Sequence, residues 1–129
     1  MKIKSQSSIE FLILVGVIFF FFLGFLIAIQ TSINDKVKEK NNLLLKNTAY
    51  KIQDEINFAS ESSDGYEREF KIPDKIGSKD YDIDIIANMV YLKTIDNKNS
   101  IALPIPVITG NIIKGDNLIK KINNTIYLN

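Results

Sequence analysis

The most constraining feature of the chain is an apolar run near its start, at residues 11–29 (FLILVGVIFFFFLGFLIAI). These nineteen residues include no charged side chain and no proline. As an α-helix rising about 1.5 Å per residue, the run would be roughly 28 Å long, close to the ~30 Å hydrocarbon core of a bilayer. The sequence therefore predicts a helix that can span a membrane. About a hundred residues remain beyond it, enough for one small domain.

Three interpretations of this run compete. Its length alone fits a plain membrane anchor. A conventional secretory signal fits poorly, because its apolar core is usually about 7–15 residues long and ends in small residues of the A-x-A type, whereas this run ends in Ala28-Ile29-Gln30. The third interpretation uses what precedes the run, which is a short basic leader, a polar Gln-Ser-Ser step and Glu10.

The residues at the entrance to the run carry a family resemblance. Gln6, Ser8, Glu10 and Leu14 match the Q-x-S-x-E-x-x-x-L pattern of class III signal peptides. This region, roughly residues 1–30, resembles the start of archaeal type IV pilin-like proteins. The resemblance implies that a membrane-bound prepilin peptidase cuts between Ser5 and Gln6, on the cytoplasmic side. Glycine often precedes such a cut, and here Ser5 takes its place.

The resemblance also implies a division of the chain. Residues 1–5 would be a removed leader, and residues 6–30 would stay on the mature protein as a transmembrane helix that later forms a filament core. The polar remainder would then lie outside the cell. A count of flanking lysines points the other way, because Lys2 and Lys4 precede the run while Lys36, Lys38, Lys40 and Lys46 follow it. We give precedence to the leader pattern.

Glu10 has two explanations that can coexist. An ionised carboxylate beside so many apolar residues is costly unless it is paired or near an interface. In pilin-like filaments the corresponding glutamate is thought to pair with a neighbouring subunit's N-terminal amine, so the resemblance implies an assembly role. Alternatively, Ser7 and Glu10 have capping-box spacing, and negative charge suits a helix N-terminus.

The region 31–63 is predicted to continue the helix in amphipathic form. Its apolar residues fall near one stripe, with charged residues opposite; the stripe is Ile33, Val37, Leu44, Ile52, Ile56 and Ala59, with Leu45 and Ala49 beside it. No proline precedes Pro73 and no glycine lies between Gly24 and Gly65, so one helix is predicted over about residues 7–60. The Leu43-Leu44-Leu45 cluster is predicted to be core. A coiled coil is the alternative, although no heptad is sustained.

The region 64–129 is predicted to be strand-rich. Gly65 is a helix stop, and short β-prone runs follow, separated by turn residues; they are residues 66–72, 81–86, 89–95, 100–103, 107–113, 118–122 and 125–128. Short connections favour antiparallel hairpins, and Pro104 and Pro106 should lie on an edge or at a bend. The predicted class is α+β, with a long N-terminal helix packed against a small C-terminal antiparallel sheet.

Several kinds of chemistry are disfavoured by composition. The chain has no cysteine and no histidine, which excludes Cys–His metal sites and histidine-based acid–base catalysis. Asp80, Asp82 and Asp84 resemble the start of a calcium loop, but Ile85 and Tyr91 stand where glycine and glutamate are needed. Strand alternation explains them better. With a net charge of +1, no nucleic acid partner is expected. We expect no cofactor and no catalytic residues.

One modification signal is present. Asn123-Asn124-Thr125 is an N-x-[ST] sequon. Asn-Asn between two strands is also a good tight turn, so the pattern has a purely structural explanation. Because exported filament subunits that this chain resembles are often glycosylated, Asn123 is a candidate glycosylation site.

These observations favour one function over two others. The leading hypothesis is a major or minor structural subunit of an archaeal type IV pilus-like surface filament, assembled through residues 6–30 with further copies or related pilins. The alternative is a membrane-anchored accessory or adhesion protein that does not polymerise. An enzyme at the membrane is disfavoured because no catalytic constellation is recognisable.

Overall fold

The computed structural model describes the backbone of residues 2–129 and the side chains of residues 6–129. Its first element is a single helix, α1, at Lys2–Glu61. Within α1 there is no proline, and no glycine after Gly24, so nothing interrupts its backbone hydrogen bonds. The helix begins earlier than the predicted residue 7 and ends one residue later than residue 60. The predicted long helix is confirmed.

The chain divides into two compact units, Met1–Glu39 and Lys40–Asn129. The first unit consists of the N-terminal part of α1. The second contains the C-terminal part of α1 and all seven strands. These are β1 (Glu67–Ile72), β2 (Tyr81–Ile86), β3 (Met89–Thr94), β4 (Ser100–Pro104), β5 (Ile108–Gly110), β6 (Gly115–Ile122) and β7 (Thr125–Leu128).

The strands form two sheets. One has four strands in the order β1-β6-β7-β5, and the other is a three-stranded meander, β2-β3-β4. Most neighbours are antiparallel, but β5 runs parallel to β7. The α+β class is therefore confirmed, with two sheets in place of one and a parallel pair that short connections do not suggest. The predicted 107–113 run contributes only three residues of strand.

Two hairpins turn on adjacent residues with positive φ. Ala87 and Asn88 join β2 to β3, and Asn123 and Asn124 join β6 to β7. Positive φ at both central residues is the geometry whose twist matches the flanking strands. Both turns were predicted from the sequence. Pro104 ends β4, which is an edge strand, as predicted.

The core of the second unit lies between α1 and the inward faces of both sheets. The helix contributes a stripe of buried residues at i, i+3 and i+4 spacing, namely Leu45, Ala49, Ile52, Ile56 and Ala59. The predicted stripe is confirmed from Leu44, which is half-buried, to Ala59. It is wrong for Ile33 and Val37, which are both 51% exposed. Leu43 is an exception, since it is exposed while Leu45 is fully buried. Three consecutive helical residues span about 200° of the helix surface, so they cannot all face one sheet.

The C-terminal end of α1 is fixed by a buried lysine from β6. Lys121 is only 7% exposed, and its Nζ donates hydrogen bonds to the carbonyl oxygens of Ser60 (2.6 Å) and Ser62 (2.8 Å). The last carbonyls of a helix have no partner within it, and a cation is favourable beside them. Lys121 therefore connects the end of α1 to the four-stranded sheet.

Candidate functional site: the apolar stem and its entrance

The stem, residues 6–30, is helical throughout and exposed at every position. Its large apolar side chains are exposed on all sides, from 40% at Ile29 to 74% at Phe20. Among the described residues, this is the one helix long and apolar enough to cross a membrane. An exposed apolar area of this size requires a cover outside the chain, either lipid or other helices.

The motif residues are arranged along one side of the stem. Gln6, Glu10 and Leu14 follow one another at intervals of four residues, which places them on one helix face, one turn apart. Ser8 lies two residues from both Gln6 and Glu10, on the opposite side. The structure therefore brings three of the four motif residues together.

Glu10 lies at the rim of a shallow apolar groove along this face. The groove is lined by Glu10, Ile13, Leu14, Val17 and Ile18. The groove therefore places one carboxylate beside four aliphatic side chains from successive helical turns. Such a surface suits contact with another apolar helix whose nearby charge is positive.

The capping explanation of Glu10 does not hold for the chain as it stands. Because α1 begins at Lys2, Ser7 and Glu10 lie inside the helix, beyond its first turn. The leader extends the helix because it contains no glycine or proline. The capping box could form only if Gln6 became the first residue. The predicted cut itself stays a prediction, since the side chains of residues 1–5, including Ser5, lie outside those described.

The predicted modification site is accessible. Asn123 is exposed in the turn between β6 and β7, and Thr125 is half-buried at the start of β7. The neighbouring Asn124 backbone N–H donates to Asp64 Oδ1 at 2.8 Å, which ties this turn to the segment after α1. The tight turn is confirmed, and it presents the sequon asparagine to solvent.

The acidic strand has the alternation predicted for it. Asp82 and Asp84 are exposed on β2, Tyr81 is buried, and Ile83 and Ile85 are half-buried. No group of three or more carboxylates within residues 6–129 is placed to hold a metal ion. The aspartates therefore have a structural explanation, and Asp80 lies just outside the strand.

One polar cluster was not foreseen. Asp96 accepts hydrogen bonds from Lys79 Nζ (2.5 Å), Thr94 Oγ1 (2.6 Å) and the backbone N–H of Lys98 (3.1 Å). The hydrogen bond from Lys79 and then that from Thr94 hold the pKa of the Asp96 carboxyl well below its usual range. All its partners lie in or beside the β2–β3–β4 sheet, so the cluster orders the turn between β3 and β4.

Comparisons with protein-family models, curated proteins and solved structures found no match. The residues and geometry of the stem therefore carry the functional inference.

Proposed function

We propose that this protein is a structural subunit, major or minor, of an archaeal type IV pilus-like surface filament. Its stem would first lie in the cell membrane as a single span, with the second unit outside. A prepilin peptidase would remove residues 1–5. The stem would then leave the lipid and pack against the stems of further copies or related pilins.

One observation carries this proposal. The Gln6, Glu10 and Leu14 side chains share a face at the entrance of a helix that is apolar and exposed on every side. A plain anchor needs apolar length but no such motif. A helix with no polar face can be buried equally well in lipid or among other helices, as a change of surroundings requires.

Glu10 has a defined role in this proposal. After cleavage, the Gln6 N-terminus of one copy would carry a positive charge, and Glu10 of its neighbour would pair with it in an apolar surrounding. A charge pair removed from water is stable only when both partners are present. The pair would therefore set the axial register of neighbouring stems.

We propose Asn123 as a glycosylation site of the exported chain. Its exposure in the β6–β7 turn supports this assignment. A glycan there would extend from a surface turn and would leave the core of the second unit undisturbed.

The intact mass of the protein extracted from membranes tests the processing step. We expect the wild-type mass to be that of a chain beginning at Gln6, plus the mass of any glycan. The Asn123→Gln variant should have the same start and lack the glycan mass. The alanine variant Gln6→Ala, which changes the motif, should retain the full leader. A wild-type chain that retains residues 1–5 would contradict the proposal and favour a non-polymerising anchored protein.

A further inference from the structure

The C-terminal part of α1 has an apolar row on the side away from its core. Leu43, Tyr50 and Phe58 are 57%, 50% and 58% exposed, although they lie on the same helical segment as the fully buried Leu45 and Ile56. Their spacings of seven and eight residues place them within about 80° of one another around the helix. They form a row that the second unit does not cover. We call Leu43, Lys46, Tyr50, Asp54 and Phe58, which are all exposed, the free face.

The free face also has a charge pattern. Lys46 lies between Leu43 and Tyr50, and Asp54 lies between Tyr50 and Phe58, each three or four residues from its apolar neighbours. Both charged side chains are exposed. The face therefore carries a cation next to Tyr50 and, eight residues further on, an anion next to Phe58. A second copy displaced by that interval would present opposite charges and matching apolar side chains.

We propose that the free face binds a second copy of this chain, parallel to the first and displaced by eight residues, or about 12 Å along the helix. In this arrangement Lys46 of one copy faces Asp54 of the next, and Tyr50 faces Phe58. Leu43 of the first copy then lies only one residue from the level of Tyr50 of the second copy. The inference rests on the proposed function, because filament subunits drawn from one membrane lie parallel.

The contact has two different sides, so it can repeat. At about 100° per residue, Asp54 and Phe58 lie about 80° around the helix from Lys46 and Tyr50. Each copy can thus use one flank for the copy above and the other flank for the copy below. Head-to-tail contacts of this kind produce open helical assemblies.

A displacement of fifteen residues is a weaker solution. It would pair Lys46 with Glu61 and Leu43 with Phe58, which gives a single apolar contact. Exposed ion pairs contribute little to stability, whereas each buried aromatic side chain contributes in proportion to the area it removes from water. The eight-residue displacement covers two aromatic side chains and retains an ion pair.

Disulfide trapping in intact cells tests this register. The chain has no native cysteine, so Lys46→Cys and Asp54→Cys introduced together provide the only thiols. Within one helix these positions are about 12 Å apart, beyond disulfide reach, so any bond must join two copies. After mild oxidation and shearing, we expect the double variant to give a ladder of covalent multimers. Each single-cysteine variant should give at least tenfold less cross-linked product.

Matched controls separate the possible results. A closed dimer from the double variant would indicate antiparallel pairing and overturn the proposal. A stronger ladder from Lys46→Cys with Glu61→Cys would overturn the eight-residue displacement. Sheared wild-type filaments that contain the chain, together with double-variant filaments that give no ladder, would refute this contact while leaving the proposed function intact. Wild-type chain missing from sheared filaments would refute the proposed function itself.

Charge reversal provides a second measurement should the cysteine variants fail to assemble. Lys46→Asp should lower the amount of chain in sheared filaments severalfold. Combining it with Asp54→Lys should restore that amount, because the pair is then re-formed with its signs exchanged. Equal losses in the single and combined variants would contradict the contact.

Discussion

Glu10→Ala should leave the chain in the membrane and remove it from surface filaments. Loss of a carboxylate makes the segment more apolar, so insertion is expected to be unchanged. In the filament, the N-terminal amine of the neighbouring copy would lose its partner in an apolar setting. Removing one partner of a buried charge pair costs about 3–5 kcal/mol, so the amount of chain in sheared filaments should fall at least about tenfold.

Glu10→Gln separates the charge pair from helix capping. A glutamine can replace glutamate in a capping box, whose loss costs about 0.5–2 kcal/mol, but it cannot pair with an amine as a charge. We therefore expect Glu10→Gln to fail like Glu10→Ala. Glu39→Gln, which removes another exposed carboxylate of α1, is the control and should assemble normally. Filaments at wild-type abundance in Glu10→Gln would rule out the ion pair.

Gly110→Ala should destabilise the second unit more than a change of one methyl group usually does. Gly110 pairs with Leu128 where β5 lies parallel to β7, and its φ is 113°. A Cβ at this position would lie 1.9 Å from the Leu128 carbonyl oxygen. Backbone strain and overpacking each cost about 1–3 kcal/mol. We expect a loss of about 3 kcal/mol or more, and a Tm lower by more than about 10 °C.

Gly115→Ala is the matched control for this variant. Gly115 also has a positive φ of 89°, but a Cβ there would meet nothing within 4 Å. It should therefore show the backbone strain alone, about 1–3 kcal/mol, without the overpacking. Thermal unfolding of the full chain in detergent can be followed by the near-ultraviolet circular dichroism of its five tyrosines. Equal losses in the two variants would show that the contact with Leu128 is unimportant.

The helix and most strands could be predicted because their signals are local. Gly65 marks the stop after α1, and Asn123-Asn124 marks a hairpin whose positive φ values few residues adopt easily. The alternation in β2 could also be read residue by residue. Each of these features depends on a few neighbours along the chain.

The remaining features depend on residues far apart in the sequence. β5 pairs in parallel with β7 although β6 lies between them in the sequence. Short connections indicate antiparallel neighbours, so they do not predict this pair. Lys121 is more than fifty residues from the helix end that it caps, and a lysine in a β-prone run usually indicates an exposed position. The exposure of Leu43 follows from the direction in which α1 meets the sheets, and composition does not encode that direction.

The stem could be predicted as a helix from its composition, and its motif from residue identity. The shared face of Gln6, Glu10 and Leu14 depends on the motif and on the helix together. Residues four apart lie on one face only when the helix is continuous through them. What the stem contacts is decided by other molecules.

Mass spectrometry of material sheared from the cell surface tests the central claim most directly. Filaments should contain this chain with the stem intact, and its first peptide should begin at Gln6. Filaments that contain the chain only from a residue beyond Ile29 would contradict the account. So would filaments without the chain while it stays in the membrane fraction.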